Sequence, residues 1–103
     1  MTLSEQLIVY CFKEDIPLCI ADRANRAHLS SRYFAHISYY WELHDDGSIR
    51  SLFVNGETKD QALQLFAEYI SNKTLVEVLP NGEYGRKILV DVKDEELDIL
   101  EIK

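Results

Sequence analysis

YFAHISYYWELHDDGSIRSLFVNGETKDQALQLFAEYI, from Tyr33 to Ile70, holds the only tryptophan of the chain and decides the fold. Its first part alternates. Tyr33, Ala35, Ile37, Tyr39, Trp41 and Leu43 share one face of an extended chain, and Phe34, His36, Ser38, Tyr40, Glu42 and His44 share the other. A period of two marks a half-buried strand, and aromatic and β-branched residues suit that setting. The first set is expected to meet the core, the second to meet solvent, an edge or a partner. His44-Asp45-Asp46-Gly47-Ser48 then turns the chain, because Gly takes positive φ cheaply and Asp tolerates it. Ile49 to Val54 returns as a shorter strand, ended by Asn55-Gly56. Thr58 caps a helix, with Gln61 completing a capping box. Ala62, Leu63, Leu65, Phe66, Tyr69 and Ile70 make one apolar stripe at helical spacing, and Asn72 marks its end. The helix is expected to lie across Ile37, Tyr39 and Trp41.

Upstream, Leu7 to Phe12 is a continuous apolar run that reads as a buried strand, with a helix capped by Thr2 or Ser4 as the competing reading. Pro17 to Ala21 suits an edge strand. Asp22 to Arg32 carries Arg23, Arg26, His28 and Arg32 and reads as a loop or short helical turn. Downstream, Thr74 to Leu79 is a strand, Pro80-Asn81-Gly82 with Gly85 a turn, and Arg86 to Val92 the strand that closes a second hairpin. The tail, Lys93 to Lys103, adds a short strand or a helical turn. From Asp91 through Glu101, acids occupy 91, 94, 95, 96, 98 and 101 against the single base Lys93. The sum is an α+β fold: a single domain over residues 1–103, a mainly antiparallel sheet with one principal amphipathic helix packed on one face.

At 103 residues and 47% hydrophobic content the chain forms one domain and fills its own core. No apolar run approaches a bilayer span. The N-terminus lacks the basic region of a secretory signal, which gives a cytoplasmic reading without membrane contact. Cys11 and Cys19 are expected as buried thiols. The net charge of −7 repels phosphate backbones, so direct nucleic-acid binding is not expected, while a basic protein surface is a suitable partner.

No constellation of catalytic residues emerges. His36 and His44 lie about 26 Å apart along an unbroken strand, too far to share a metal. Glu42 and His44 with Asp45 or Asp46 are the nearest approach to a divalent-ion site, and His44-Asp45-Asp46 to an acid/base pair, but turn residues are ordinarily solvated. Cys11 and Cys19 sit among apolar neighbours that blunt a nucleophile. Gly-x-Ser-x-Gly is absent, and four glycines leave no phosphate loop. The arginines of the 22–32 segment read as a solvated loop in charge balance. No enzyme activity, metal or cofactor is expected.

These observations point to a small acidic non-enzymatic interaction domain. It would bind and inhibit a larger protein that is basic or handles nucleic acid, as immunity proteins, antitoxins and phage anti-defence proteins do. The expected contacts are Asp94, Glu95, Glu96 and Asp98 in the tail, Asp45 and Asp46 at the turn, and Phe34, Tyr40 and Trp41 as apolar anchors. Two alternatives stand beside it: a ligand-binding or catalytic domain with a pocket between sheet and helix, and a self-association module. Monomer and dimer both stay open.

Overall fold

The fold is taken from a computed structural model that describes residues 1–23 and 32–102. The reading of Asp22 to Arg32 falls mostly outside the described residues. Among the described residues two helices and eight strands form a single α+β domain, and the strand pairings there are all antiparallel. In chain order they are α1 (Leu3–Lys13), β1 (Leu18–Asp22), β2 (Tyr33–Ile37), β3 (Tyr40–Leu43), β4 (Ile49–Arg50), β5 (Phe53–Gly56), α2 (Lys59–Ile70), β6 (Thr74–Val78), β7 (Tyr84–Lys93) and β8 (Glu96–Ile102). β1-β2-β5 form a three-stranded sheet and β4-β3-β6-β7-β8 a five-stranded one.

The long alternating strand is broken, and the break corrects half of its burial pattern. Tyr39 takes φ +69°, a left-handed conformation that costs a non-glycine residue about 1–2 kcal/mol. One residue inserted in this way flips every later side chain to the opposite face. Ala35 and Ile37 are buried as the pattern requires, but beyond the kink Tyr40 and Glu42 are the buried residues. Tyr39 and Trp41 are 68% and 37% exposed, so neither lies under the helix. The returning strand breaks beside it, at Ser51 and Leu52. Its first half pairs with β3 (Glu42 opposite Arg50), its second with β2 (His36 opposite Phe53). Thus one kinked hairpin belongs to both sheets and bends the whole surface around the helices.

The N-terminal run is a helix, not a strand. Thr2 Oγ1 accepts from the Glu5 amide at 3.2 Å, and Glu5 Oε1 accepts from the Thr2 amide at 3.1 Å, a closed capping box. Leu7 and Cys11, four residues apart, point into the core, while Ile8, Val9 and Phe12 face out. The run was continuous because both faces of this helix are apolar, so periodicity carried no signal. Arg86 fastens its far end. One guanidinium nitrogen donates to the Glu14 carbonyl at 3.0 Å, and others lie 3.6 Å from the Glu14 carboxylate and 3.3 Å from that of Glu101.

α2 starts at the expected cap, where Thr58 Oγ1 accepts from the Gln61 amide at 3.0 Å. The return bond differs: Gln61 Oε1 accepts from the Glu57 amide at 2.6 Å, one residue before the cap. β5 abuts this helix so closely that a Cβ at Gly56 would stand 2.5 Å from the Ala62 amide nitrogen. Ala62, Leu63, Phe66, Ala67 and Ile70 are buried, while Leu65 and Tyr69 sit at the margin. Phe66, Ile70, Leu7, Leu75, Ile88 and Val90 form the centre of the core. The tail is the strand β8, joined to β7 by Asp94 and Glu95, which have φ +50° and +67°. Two successive left-handed residues give the hairpin turn whose twist matches its strands.

Burial pushes the Cys11 thiol up to about 12, and also raises the Tyr10 and Tyr40 phenols, burial again being the chief cause. Each group holds its proton more tightly folded than unfolded. The stability this gives is complete below the unfolded values, about 8.5 for a thiol and about 10 for a phenol, and is lost as pH rises past them. The urea midpoint is expected to fall from about pH 8.5 upward. In Cys11→Ala the decline should begin only near the tyrosine range, about pH 10, which a midpoint-against-pH series reads directly.

Candidate interaction surface

Opposed residues in an antiparallel register share a face. On the inner face of the five-stranded sheet, Glu42, Leu75, Ile88 and Glu101 lie in one row. The core residues Leu75, Ile88 and Val90 place the helices on that side. The outer face carries two other rows: Ile49, Leu43, Thr74, Leu89, Leu100, and Trp41, Val76, Lys87, Ile102. Both are largely apolar, and among the described residues no helix covers them. Val76 is 0% exposed although it lies outside the main core cluster, because its outer-face neighbours bury it. Trp41, Leu100 and Ile102 remain open at 37%, 50% and 38%.

At the kink the outer faces of the two sheets meet in a cleft of about 400 Å³. Phe34, His36 and Phe53 form one wall, with Phe34 stacked on His36 at 5.3 Å and edge-on to Phe53 at 6.5 Å. Tyr39 and Trp41 also line it. The Arg23 guanidinium lies 4.3 Å from the Phe34 ring centre, a cation–π contact. Three side chains expected as anchors, Phe34, Tyr40 and Trp41, therefore border one cavity. Tyr40 borders it from within the core at 5% exposure, so it is corrected from surface anchor to floor.

The acids gather at one end. β3 and β7 both run antiparallel to β6, hence parallel to each other, so the turns that follow them project from the same end of the sheet. Two strand spacings, about 10 Å, separate β3 from β7. Asp45 and Asp46 occupy the first turn, Asp94 and Glu95 the second. Glu96 and Asp98 follow on the outer face of β8, and all six are exposed. Asp98 stands directly opposite Asp91, a like-charge pairing that costs stability. Lys93 Nζ lies 3.4 Å from the Asp91 carboxylate and offsets part of that cost. Asp46 accepts from the Ser48 hydroxyl at 2.6 Å and the Ser48 amide at 2.9 Å, and these bonds hold its carboxyl below the usual range.

Glu42 and His44 take no part in this surface, because the kink turns Glu42 inward. Tyr69 donates to Glu42 Oε1 at 2.6 Å, and His44 Nε2 lies 2.7 Å from Oε2. Accepting from Tyr69, the carboxylate raises that phenol above its ordinary value. Among the described residues no group of three His, Cys, Asp or Glu side chains could hold a metal ion. The arrangement ties β3 to the last turn of α2. Tyr69→Phe is expected to cost about 1.5–3 kcal/mol, since it strips a buried carboxylate of a hydrogen bond. A urea titration of the variant reads the loss.

No protein-family model, curated protein or solved structure matches the chain. Among the described residues no helix is long and apolar enough to cross a membrane.

Proposed function

We propose that the protein is a non-catalytic interaction domain that docks on a larger protein with a basic surface, of the kind that handles nucleic acid, and blocks it. Immunity proteins, antitoxins and phage anti-defence proteins work in this way. The observation that carries the reading is one surface. The outer face of the five-stranded sheet is apolar, opens into an aromatic cleft at one end and ends in clustered carboxylates at the other. An apolar centre with a charged rim is the anatomy of a protein interface. Trp41 in the cleft is the type of residue that dominates binding energy. The acids, set where like charges already face each other, attract and orient a cationic partner and occupy positions that phosphates would take.

The test is affinity capture of the tagged protein from its native lysate at low and high salt, followed by assay of the captured protein. A stoichiometric basic partner, released by salt and losing its activity when the domain is added back, is the expected result. A partner whose activity is untouched by the domain would remove the inhibitory part of the reading. A partner held equally at both salt concentrations would remove the electrostatic part.

A further inference from the structure

β8 ends the five-stranded sheet on one side and has seven residues, while β4, the edge on the other side, has two. Which main-chain groups of β8 are free follows from its neighbour. On β7, Val90 donates to the Lys73 carbonyl at 3.0 Å and accepts from the Asn72 amide at 2.6 Å. Val90 therefore turns toward the β6 side, and Leu89 and Asp91 turn toward β8, because bonded positions alternate in an antiparallel pair. Asp91 stands opposite Asp98, and Leu89 opposite Leu100. The even residues of β8 thus bond to β7, and Leu97, Ile99 and Glu101 present their amides and carbonyls to the open edge. A second bond agrees. The Leu97 amide, turned away from β7, donates to Gln6 Oε1 at 2.6 Å.

The two ends of this edge are tied, and its middle is not. Gln6 of α1 takes the Leu97 amide at one end and donates to the Glu95 carbonyl at 3.2 Å. At the other end Arg86 links the Glu101 side chain to that of Glu14. Between them, among the described residues, no group bonds to the Ile99 amide or carbonyl or to the Glu101 amide.

The side chains beside the edge select its occupant. Glu96, Asp98, Leu100 and Ile102 follow one another on the outer face, all exposed. Asp98 extends a row begun by Asp91, whose own carboxylate is paired with Lys93 at 3.4 Å. A cation beside Asp98 on a further strand would continue that row with the opposite sign, the favourable form of cross-strand pair. A second cation would stand beside Glu96, and apolar residues beside Leu100 and Ile102. A second copy of this chain, with a net charge of −7, would bring acids to acids.

We propose that β8 accepts an extended segment of the partner protein as a sixth strand, antiparallel to it, whose alternate side chains run apolar, apolar, basic, basic in chain order. This rests on the reading of the protein as one that docks on a basic partner, and adds the way in which it docks. Main-chain bonds at Ile99 and Glu101 supply affinity and the alternate side chains supply selectivity, the division of labour in strand addition. The direction is antiparallel because such pairs are slightly more stable per residue.

The probe is the synthetic peptide Thr-Val-Thr-Val-Thr-Lys-Thr-Lys-Thr, titrated into the full chain and followed at each backbone amide by NMR. Saturable shifts are expected at Ile99 and Glu101, whose amides should also exchange more slowly with solvent. The amides of Asp98 and Leu100, already bonded to β7, should keep their exchange rates. N-methylating the second and third threonines, which stand opposite Glu101 and Ile99, keeps both lysine charges and should weaken binding by about tenfold or more. Glu101→Pro should act alike, since this amide faces away from β7 and a proline on an edge leaves the ladder intact. Glu101→Gln, which keeps the amide and loses the charge, should bind within about threefold of the wild type. The absence of saturable shifts at Ile99 overturns the proposal. So does binding indifferent to N-methylation, or sedimentation showing a dimer of this chain that Glu101→Pro dissolves. The two readings fail separately. A captured partner held equally by the wild type and by Glu101→Pro removes strand addition and leaves salt-sensitive docking. Peptide binding with no captured partner removes the inhibitory reading and leaves the strand site.

Discussion

Phe66→Ala lowers the unfolding free energy by about 3–5 kcal/mol, the expected cost of a fully buried phenylalanine replaced by a methyl group. Phe66 is 0% exposed at the middle of α2, in the core cluster with Leu7 of α1, Ala35 of β2 and Ile88 of β7. Its removal takes away transfer free energy and leaves a cavity bordered by elements that cannot all collapse into it. A domain of this size holds roughly 5–15 kcal/mol in total, so the variant sits close to the folding threshold. The urea midpoint should fall by about 2 M, given a slope of about 1–3 kcal/mol per molar. Phe12→Ala is the control. At 91% exposure it should change stability by less than about 0.5 kcal/mol. A small loss at Phe66 would mean that α2 does not close the core as described.

The second large effect concerns binding. Replacing Asp94, Glu95, Glu96 and Asp98 together by their amides removes four of the seven net negative charges. The fold should tolerate it. All four side chains are exposed, Asn keeps the left-handed tolerance needed at position 94, and the repulsion between Asp91 and Asp98 disappears. Association with a basic partner at low salt should slow by about 10–100-fold, because steering scales with the charge at the surface. At high salt the wild type and the variant should converge, as the Debye length shrinks to about 3 Å at 1 M. Asp45→Asn with Asp46→Asn should act in the same direction and less strongly. Two charges are removed there, and Asp46 also shapes its own turn through Ser48.

Much of this architecture was legible in the sequence, for reasons that differ by element. The Asp-Gly turn, the Thr58 cap of α2 and the Pro80–Gly82 turn depend on local chemistry, and local chemistry is written in neighbouring residues. The break at Tyr39 was not legible. Nothing in Ser38-Tyr39-Tyr40 demands positive φ, since tyrosine adopts it only under tertiary constraint. Yet that single residue decides whether Trp41 or Tyr40 is core, and whether Glu42 meets solvent or Tyr69. At the N-terminus the strand reading gives way to the competing helix capped by Thr2 for another reason: apolar residues on both of its faces erase periodicity, and the Thr2–Glu5 capping box is the cue that outweighs it. The outer apolar rows were hidden too. They are assembled from β3, β4, β6, β7 and β8, and no single strand shows more than two of their members. The acid clusters were visible as composition; their gathering at one end follows only from the strand order.

The central claim is that the outer face with its acidic end binds a basic protein. The most direct measurement is the affinity of the captured partner for the wild type and for the Asp94→Asn, Glu95→Gln, Glu96→Gln, Asp98→Asn variant, each at low and high salt. The account predicts tight binding by the wild type at low salt, weakening as salt rises. It predicts a variant about 10–100-fold weaker at low salt and nearly insensitive to salt. Equal affinity of the two proteins at low salt would contradict it.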